Sequence, residues 1–526
     1  MTEVKDDVLV NHLAKQGVDD KMVLGHPASL FVLFFTEMWE RFSYYGMRAL
    51  LTVFLVSEIT KGGWGWSNEE AMSLYGWYTM LVYATPLLGG IIADKLTGYK
   101  KAILLGALVM TLGHASMALE GFDKNFFYLG LLFMILGNGL FKPNISSMVG
   151  QLYPNTSAKK DAGYTIFYMG INAGAFLGSL LCGYLGEKIG WHYGFGLAGV
   201  FMFFGMLQFF FAQKIFGIIG DQPKGKGIIG ETKKEEEEEH TPANVVRDRL
   251  IVVAVLMVAS IFFFFAFEQA GGSMSIFAKD FTQRVLVGSA ATTFKWIDAA
   301  LTILPILIVT YVLYSLAKKI AGKYPLTIFF TALSFLAITF LGLWKVQREF
   351  TSLETEVTVS WFQILNAFFI VTLASSFSKF WERVWNPTGP VKFALGLLLV
   401  GIGFVALAYG SMSIPQGAKT ASVSMIWLVL AYFFHTTGEL CLSPVGLSYV
   451  SKLSPKKFLG LIFGFWFLAS AIANKLAGVT GGLIDKIAEN FSMSTFFLII
   501  AALPVGAALL LLIFSPLLKK MMHGIN

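Results

Sequence analysis

The chain has 526 residues, of which 56% are hydrophobic, 15% aromatic and only 14% charged, with a formal net charge of +7. Soluble domains carry about a quarter charged residues, so this balance excludes an ordinary soluble enzyme or binding module. The basic residues are spread through short loops and tails, which excludes a nucleic-acid-binding face.

The first segment, residues 1–27, is polar and mixed in charge and has no apolar core of the signal-peptide kind, so it reads as a cytoplasmic tail. Apolar runs then recur, each long enough to cross roughly 30 Å of hydrocarbon. They predict helical spans at about 28–56, 69–93, 101–120, 125–151, 161–186, 191–213, 248–278, 288–316, 325–344, 358–380, 393–410, 423–450, 459–484 and 492–518. The count is about fourteen, in an all-α polytopic membrane protein.

Alternate loops are rich in lysine, as at Lys95, Lys100 and Lys101, then Lys318, Lys319 and Lys323, then Lys519 and Lys520. By the positive-inside rule both termini lie in the cytoplasm. After the sixth span comes "DQPKGKGIIGETKKEEEEEHTPANVVRDR", whose glycine, proline and charge content predicts a flexible linker over 214–247. Its acidic run, Glu235 to Glu239, reads as a solvated face. The chain thus divides into a first bundle at 28–213, a second at 248–518 with additional helices at about 286–346, and a short tail at 519–526. Cys182 and Cys441 both fall inside spans, and no structural disulfide is expected.

Charges inside the membrane carry the functional signal. "EMWERFSYYGMR", Glu37 to Arg48, holds four charged side chains in an otherwise apolar span. Each costs roughly 2.5 to 3.5 kcal/mol at a helix centre when unpaired. Glu37 and Arg41, and Arg41 and Tyr45, are i,i+4 neighbours, and Arg48 continues the same stripe. The stripe serves either an ionisable site or a Glu–Arg pair that fixes helix packing. Lys142 precedes Pro143, which is expected to break its helix locally and free backbone groups for a cavity. Glu268 lies in "FFFFAFEQAGG", and Glu439 in "AYFFHTTGELCLSPVG" with His435 one turn before it and Ser443 one turn after. His435 reads as a core histidine. Arg41, Arg48 and Lys142 are cations of the first half; Glu268 and Glu439 are acids of the second. A zwitterionic ligand needs both signs, some distance apart, and a carboxylate in an apolar setting can also carry a proton.

Four motifs in order resemble the proton-dependent oligopeptide transporters, a branch of the major facilitator superfamily. "EMWERFSYYG" is similar to that family's first-helix E-x-x-E-R-F-x-Y-Y-G. "GGIIADKLTGYKK", with Asp94 free to pair with a base, resembles the loop between its second and third helices. "FYMGINAGAF" and "GELCLSPVGLS" resemble its fifth- and tenth-helix signatures. The resemblance spans nearly the whole chain. It implies the superfamily fold, two six-helix bundles plus two extra transmembrane helices, and proton-coupled import of di- and tripeptides by alternating access.

By the same resemblance Glu37, Glu40, Arg41 and Glu268 serve proton coupling. Arg41, Lys142 and Asn172 face the peptide carboxylate and backbone, Tyr45 and Tyr83 line the cavity, and Glu439 meets the amino terminus near Ser443. Trp466 shapes a side-chain pocket. On the residues alone, Tyr83 and Trp466 also fit packing aromatics, Asn172 a bond between helices, and Ser443 a partner for a carbonyl freed by Pro444. No cofactor is implied beyond protons; the partners are di- and tripeptides, protons and the lipid bilayer.

The sequence departs from the family in places. Asn366 is followed by alanine where proline is usual, which removes the expected cause of a kink there. The extra helix pair is of the kind found in bacterial members, which implies a bacterial inner membrane. The second span has no histidine, so the proton travels on carboxylates. No metal-spaced His/Cys set or nucleophile elbow appears, which argues against an enzyme. A transporter of another small anion or of drugs in the same superfamily is the nearest alternative, and a channel or nutrient receptor is the alternative outside it.

Overall fold

In a computed structural model the described residues are 7–154, 157, 159–222, 242–455 and 459–525. Hydrocarbon offers no partner for a backbone N–H or C=O, so a chain this apolar satisfies its backbone inside helices. Accordingly the described residues are almost wholly helical. The helices are α1 (Asp7–Lys15), α2 (Ala28–Val56), α3 (Asn68–Ile92), α4 (Tyr99–Ala118), α5 (Lys124–Gln151), α6 (Lys159–Lys188), α7 (Trp191–Ala212), α8 (Ala243–Phe267) and α9 (Ser273–Asp280). They continue with α10 (Gly288–Ile320), α11 (Pro325–Thr351), α12 (Val359–Arg383), α13 (Gly389–Gly410), α14 (Ile426–Leu453), α15 (Leu459–Gly481), α16 (Ile484–Asn490) and α17 (Met493–Met521).

Among the described residues, 13 stretches are long and apolar enough to cross a membrane. The 29-residue α2 is long enough too, but carries Glu37, Glu40, Arg41 and Arg48. With α2 included the number meets the expected fourteen.

Two compact units divide the chain. One holds the described residues of Met1–Leu50, Thr85–Gly227 and Val285–Ile364; the other holds those of Leu51–Ala84, Ile228–Arg284 and Leu365–Asn526. They are not consecutive halves, because α2, α3 and α12 each contribute to both.

In the first unit, α4 lies against α5 and α7. Helix α5 runs unbroken through Pro143, which corrects the expected local break. Pro143 lacks an N–H, so the carbonyl of Gly139 has no partner within the helix. That carbonyl faces Gly89 of α3, where an added Cβ would meet it at 1.9 Å. Only glycine admits this crossing. The N-terminal tail carries a helix of its own, α1. Leu9 and Leu13, one turn apart on α1, are buried, and Asp19 donates its N–H to the Ile215 carbonyl at 3.1 Å.

The extra helix pair, expected within the second bundle, belongs to the first unit. Helix α11 packs on α7, and α10 touches α6. Buried polar groups fasten it. Lys345 pairs with Asp298 and donates to Thr302 Oγ1 at 3.3 Å. The Tyr184 hydroxyl of α6 donates to Glu349 Oε1 at 2.7 Å. Beyond α11, Lys188 reaches Glu356 at 2.7 Å, and the Glu187 carboxylate accepts the N–H groups of Val359 and Ser360 at 2.7 and 2.9 Å. Glu187 thereby caps α12, whose first N–H groups have no partner in their own helix. The hairpin follows the seventh span in sequence but is anchored to the end of α6.

The linker boundary also moves. Gln213–Phe216 form a 3-10 turn, and Lys100 Nζ holds the following residues through the Gly217 carbonyl at 2.6 Å and Asp221 at 2.8 Å. The chain is therefore anchored to about Asp221, and α8 already begins at Ala243. The acidic run Glu235 to Glu239 lies outside the described residues.

In the second unit, α13 is flanked by α14 and α17. Helices α3 and α15 cross at Gly76 and Gly478, where a Cβ on Gly478 would lie 2.5 Å from the Gly76 Cα. Backbone contact of this kind needs both glycines.

Candidate functional site

Helix α2 places Glu37, Glu40 and Arg41 within one turn, and all three are buried. Arg41 Nε lies 2.6 Å from Glu37 Oε1 and 2.9 Å from Glu40 Oε2. The i,i+4 pair expected from the spacing is formed, and the same guanidinium also serves Glu40. Asn138 of α5, fully buried, donates to the other Glu40 oxygen at 2.8 Å. Glu37 Oε2 is buried with no hydrogen-bond partner among the described residues. Two carboxylates share one guanidinium, so the ionised trio carries a surplus negative charge.

Asn138 was not singled out from sequence. The available signal was its place one helical turn before Lys142 in "GNGLFK", an uncharged polar group in an apolar span. Lys142 itself is half-buried on α5. Arg48 continues the α2 stripe one turn on; its guanidinium lies 5.9 Å from the centroid of the Tyr45 ring, a cation–π distance. Asn172 of α6 is buried and donates to the Tyr168 carbonyl of its own helix at 2.9 Å. In this arrangement it makes that bond within its helix rather than the inter-helix bond considered from sequence.

The loop motif resolves differently from expectation. Asp94 accepts the Tyr99 hydroxyl at 2.7 Å, while the basic residue of the motif, Lys100, pairs with Asp221. The second loop glycine, Gly98, has φ +73°, and a Cβ there would meet Gln222 N at 2.6 Å.

In the second unit the span expected at 248–278 is interrupted. Helix α8 stops at Phe267, Glu268–Gly271 form a 3-10 turn, and α9 begins at Ser273. The double glycine of "EQAGG" is the sequence cue for the stop. A break leaves carbonyls without helical partners, and at membrane depth these need other donors. Hydroxyls supply them. Tyr75 donates to the Glu268 carbonyl at 3.4 Å, Tyr432 to Ala270 at 3.3 Å and Thr52 to Gly271 at 2.7 Å. Glu268 is buried at this break.

Glu439 of α14 is held from α12. Asn366 Nδ2 donates to Glu439 Oε2 at 3.0 Å and to Thr436 Oγ1 at 3.2 Å. From sequence Asn366 bore only on the question of a kink; α12 is a single helix through it, and its contact is with the acid. The Ser443 hydroxyl, one turn after Glu439, is buried with no hydrogen-bond partner among the described residues. It therefore does not take up a carbonyl freed by Pro444. Tyr83, half-buried on α3, belongs to this second unit rather than to the unit of Arg41.

Trp466 is buried edge-on to Phe393, with ring centroids 6.3 Å apart, and its indole closes on Gly446, where a Cβ would lie 2.5 Å away. His435 is buried against Phe404 at 4.6 Å between ring centroids.

Comparison with known proteins agrees with the motifs. The model of the POT family, PTR2, matches residues 100–232 and 345–499. The chain is 36% identical to an uncharacterised transporter of Bacillus subtilis (strain 168), over 97% of this chain and 98% of that protein. It is 31% identical to a di-/tripeptide transporter of Lactococcus lactis subsp. cremoris, over 95% of this chain and 98% of that one. A crystal structure of the peptide transporter POT in complex with sulfate superposes with a TM-score of 0.74 at 30% identity, covering 97% of this chain and 98% of that chain. Many membrane-spanning helices in this fold, a buried Glu–Arg–Glu cluster on α2 and an asparagine-held glutamate on α14 accompany a match along almost the whole length. The protein is a multi-pass integral membrane protein with a major facilitator-like fold, and the chain belongs to the POT family, the proton-dependent oligopeptide transporters.

Proposed function

We propose that this protein is a proton-coupled symporter that imports di- and tripeptides across a bacterial cytoplasmic membrane. The observation that carries the reading is the pair of acid sites: Glu37, Glu40 and Arg41 with Asn138, all buried, in the first unit, and the half-buried Glu439 with Asn366 in the second. The name of the Lactococcus relative, a di-/tripeptide transporter, supports the substrate class.

The surplus negative charge of the α2 trio is offset only in part by the Lys142 ammonium, which acts on Glu40 from α5, and in a dry setting the penalty for an uncompensated ion is several kcal/mol. One proton neutralises it. Peptide binding uses the other charges. Arg41, Arg48 and Lys142 supply positive charge for the peptide carboxylate; Glu439, oriented by Asn366, supplies the acceptor for its ammonium group, with Ser443 on the same face. Tyr45, Tyr83, Asn172 and Trp466 give the walls, and Glu268, at the break between α8 and α9, sits where a change in helix geometry would move it. Each proton carried inward yields about 2.3 kcal/mol per 100 mV of membrane potential.

The test is uptake of a labelled dipeptide into proteoliposomes under an inward proton gradient, for wild type and Glu439→Gln. Accumulation that collapses with an uncoupler and is lost in the variant is expected. Folded wild-type protein that takes up no dipeptide would remove the peptide assignment in favour of another small anion or a drug. Accumulation that persists in Glu439→Gln would keep the substrate and overturn the role of Glu439.

A further inference from the structure

A groove of about 710 Å³ runs along α8 and α17 inside the second unit, apart from every residue of the transport sites. All sixteen of its lining residues are apolar. On α8, Ile251, Val255, Val258 and Phe262 recur every three or four residues and so share one face; Gly506 and Leu510 of α17 lie opposite. Gly506 hollows the floor, since an added Cβ there would meet nothing within 4 Å.

The groove has one charged end. Arg247, one turn before Ile251 on the same face of α8, is exposed, as are Lys519 and Lys520 at the end of α17. His523 Nε2 reaches Asp248 at 2.9 Å, which brings the end of α17 to the start of α8. Asp248 pairs with Arg247 at 3.0 Å and with His523 at 2.9 Å, and this end of the two helices carries Arg247, Arg249, Lys519 and Lys520 besides that one acid.

We propose that this groove binds an anionic phospholipid, with one acyl chain along α8 and α17 and the headgroup phosphate against Arg247, Lys519 and Lys520. Length supports a lipid tail. Along α8 the lining runs from Ile251 to Phe262, about 16 Å at 1.5 Å per residue, enough for one acyl chain in half of a roughly 30 Å hydrocarbon core, and along α17 it continues from Ala502 to Met521, about 28 Å. Charge selects the headgroup, because an excess of cations at the membrane surface attracts anionic lipid at about 1 kcal/mol per basic residue. Charge also disfavours a second copy of the chain, since a symmetric partner would bring like-charged clusters together. Apolar tails alone would fit any lipid; the basic end gives the preference.

The test is native mass spectrometry of the purified full chain from micelles holding equal amounts of palmitoyl-oleoyl phosphatidylglycerol and phosphatidylcholine. Wild type is expected to retain the phosphatidylglycerol at least tenfold over the neutral lipid. Lys519→Glu with Lys520→Glu, both exposed and so harmless to folding, should bring retention to parity. Gly506→Phe should lower total lipid retention at least tenfold with the unfolding midpoint unchanged. Equal retention of both lipids by wild type would overturn the proposal, as would undiminished preference in the double charge reversal. A dimer mass with crosslinks between α17 helices would assign the groove to a second copy instead.

Discussion

Removing Lys345 is a sharp test of how the extra hairpin is attached. Lys345 and Asp298 are each about 2–3% exposed, and Lys345 also donates to Thr302 and lies 5.2 Å from the centroid of the Tyr184 ring. Lys345→Met keeps the volume but leaves Asp298 ionised in a dry setting, and such a loss costs about 3–5 kcal/mol. At about 1.4 kcal/mol per factor of ten, opening of the hairpin becomes two to four powers of ten more frequent. Amide hydrogen exchange reads this directly, because exchange in a locally opening segment follows the opening free energy. Amides around Ile306–Leu313 and Thr331–Ile338 should exchange faster by that factor, while α13 of the second unit stays protected. Lys345→Met with Asp298→Leu removes both charges and should return protection to within about 1 kcal/mol of wild type, as buried pairs replaced by apolar residues commonly do. Unchanged exchange in the single variant, or a double variant as exposed as the single one, would refute the claim that this pair holds the hairpin.

Two further outcomes are expected. Asn366→Ala removes the donor to Glu439, a hydrogen bond to a charged group worth about 1.5–3 kcal/mol, so dipeptide uptake at low concentration should fall about tenfold or more at unchanged protein level; equal uptake would show that Glu439 needs no such support. Asp19, outside the membrane, is tied to Lys323 at 2.6 Å and Tyr324 at 3.1 Å. Burial works to raise its carboxyl pKa, but the hydrogen bond from Lys323, with those from the Lys21 N–H and Tyr324, outweighs it and holds the group below its ordinary value of 3.8. A depressed folded value stabilises above the unfolded one and is lost as pH falls through the folded one. Docking of the 19–27 segment should therefore hold at neutral pH and loosen below about 3.8, whereas Asp19→Asn should loosen it already at pH 7. Exchange protection of that segment, compared at the two pH values, checks both.

Local physics makes much of this protein readable in its sequence. Hydrocarbon thickness and the 1.5 Å rise of a helix set the number and placing of the spans. The 3.6-residue period brings Glu37 against Arg41 whatever the rest of the chain does. What needed the tertiary structure is everything set by which helix faces meet. Asn138 and Glu40 are 98 residues apart and Asn366 and Glu439 are 73 apart, and no local period links them. Pro143 looked like a break because the missing N–H is visible in sequence, while the facing Gly89 that receives the freed carbonyl is not. The hydroxyls of Thr52, Tyr75 and Tyr432 looked like ordinary span residues, yet they complete the broken turn at Glu268. The extra hairpin followed the seventh span in sequence, and only the buried partners Asp298, Lys345, Tyr184 and Glu349 tied it to the first unit. An apolar stretch reads alike whether lipid or another helix covers it, so sequence determined which segments enter the membrane and packing decided which of them touch.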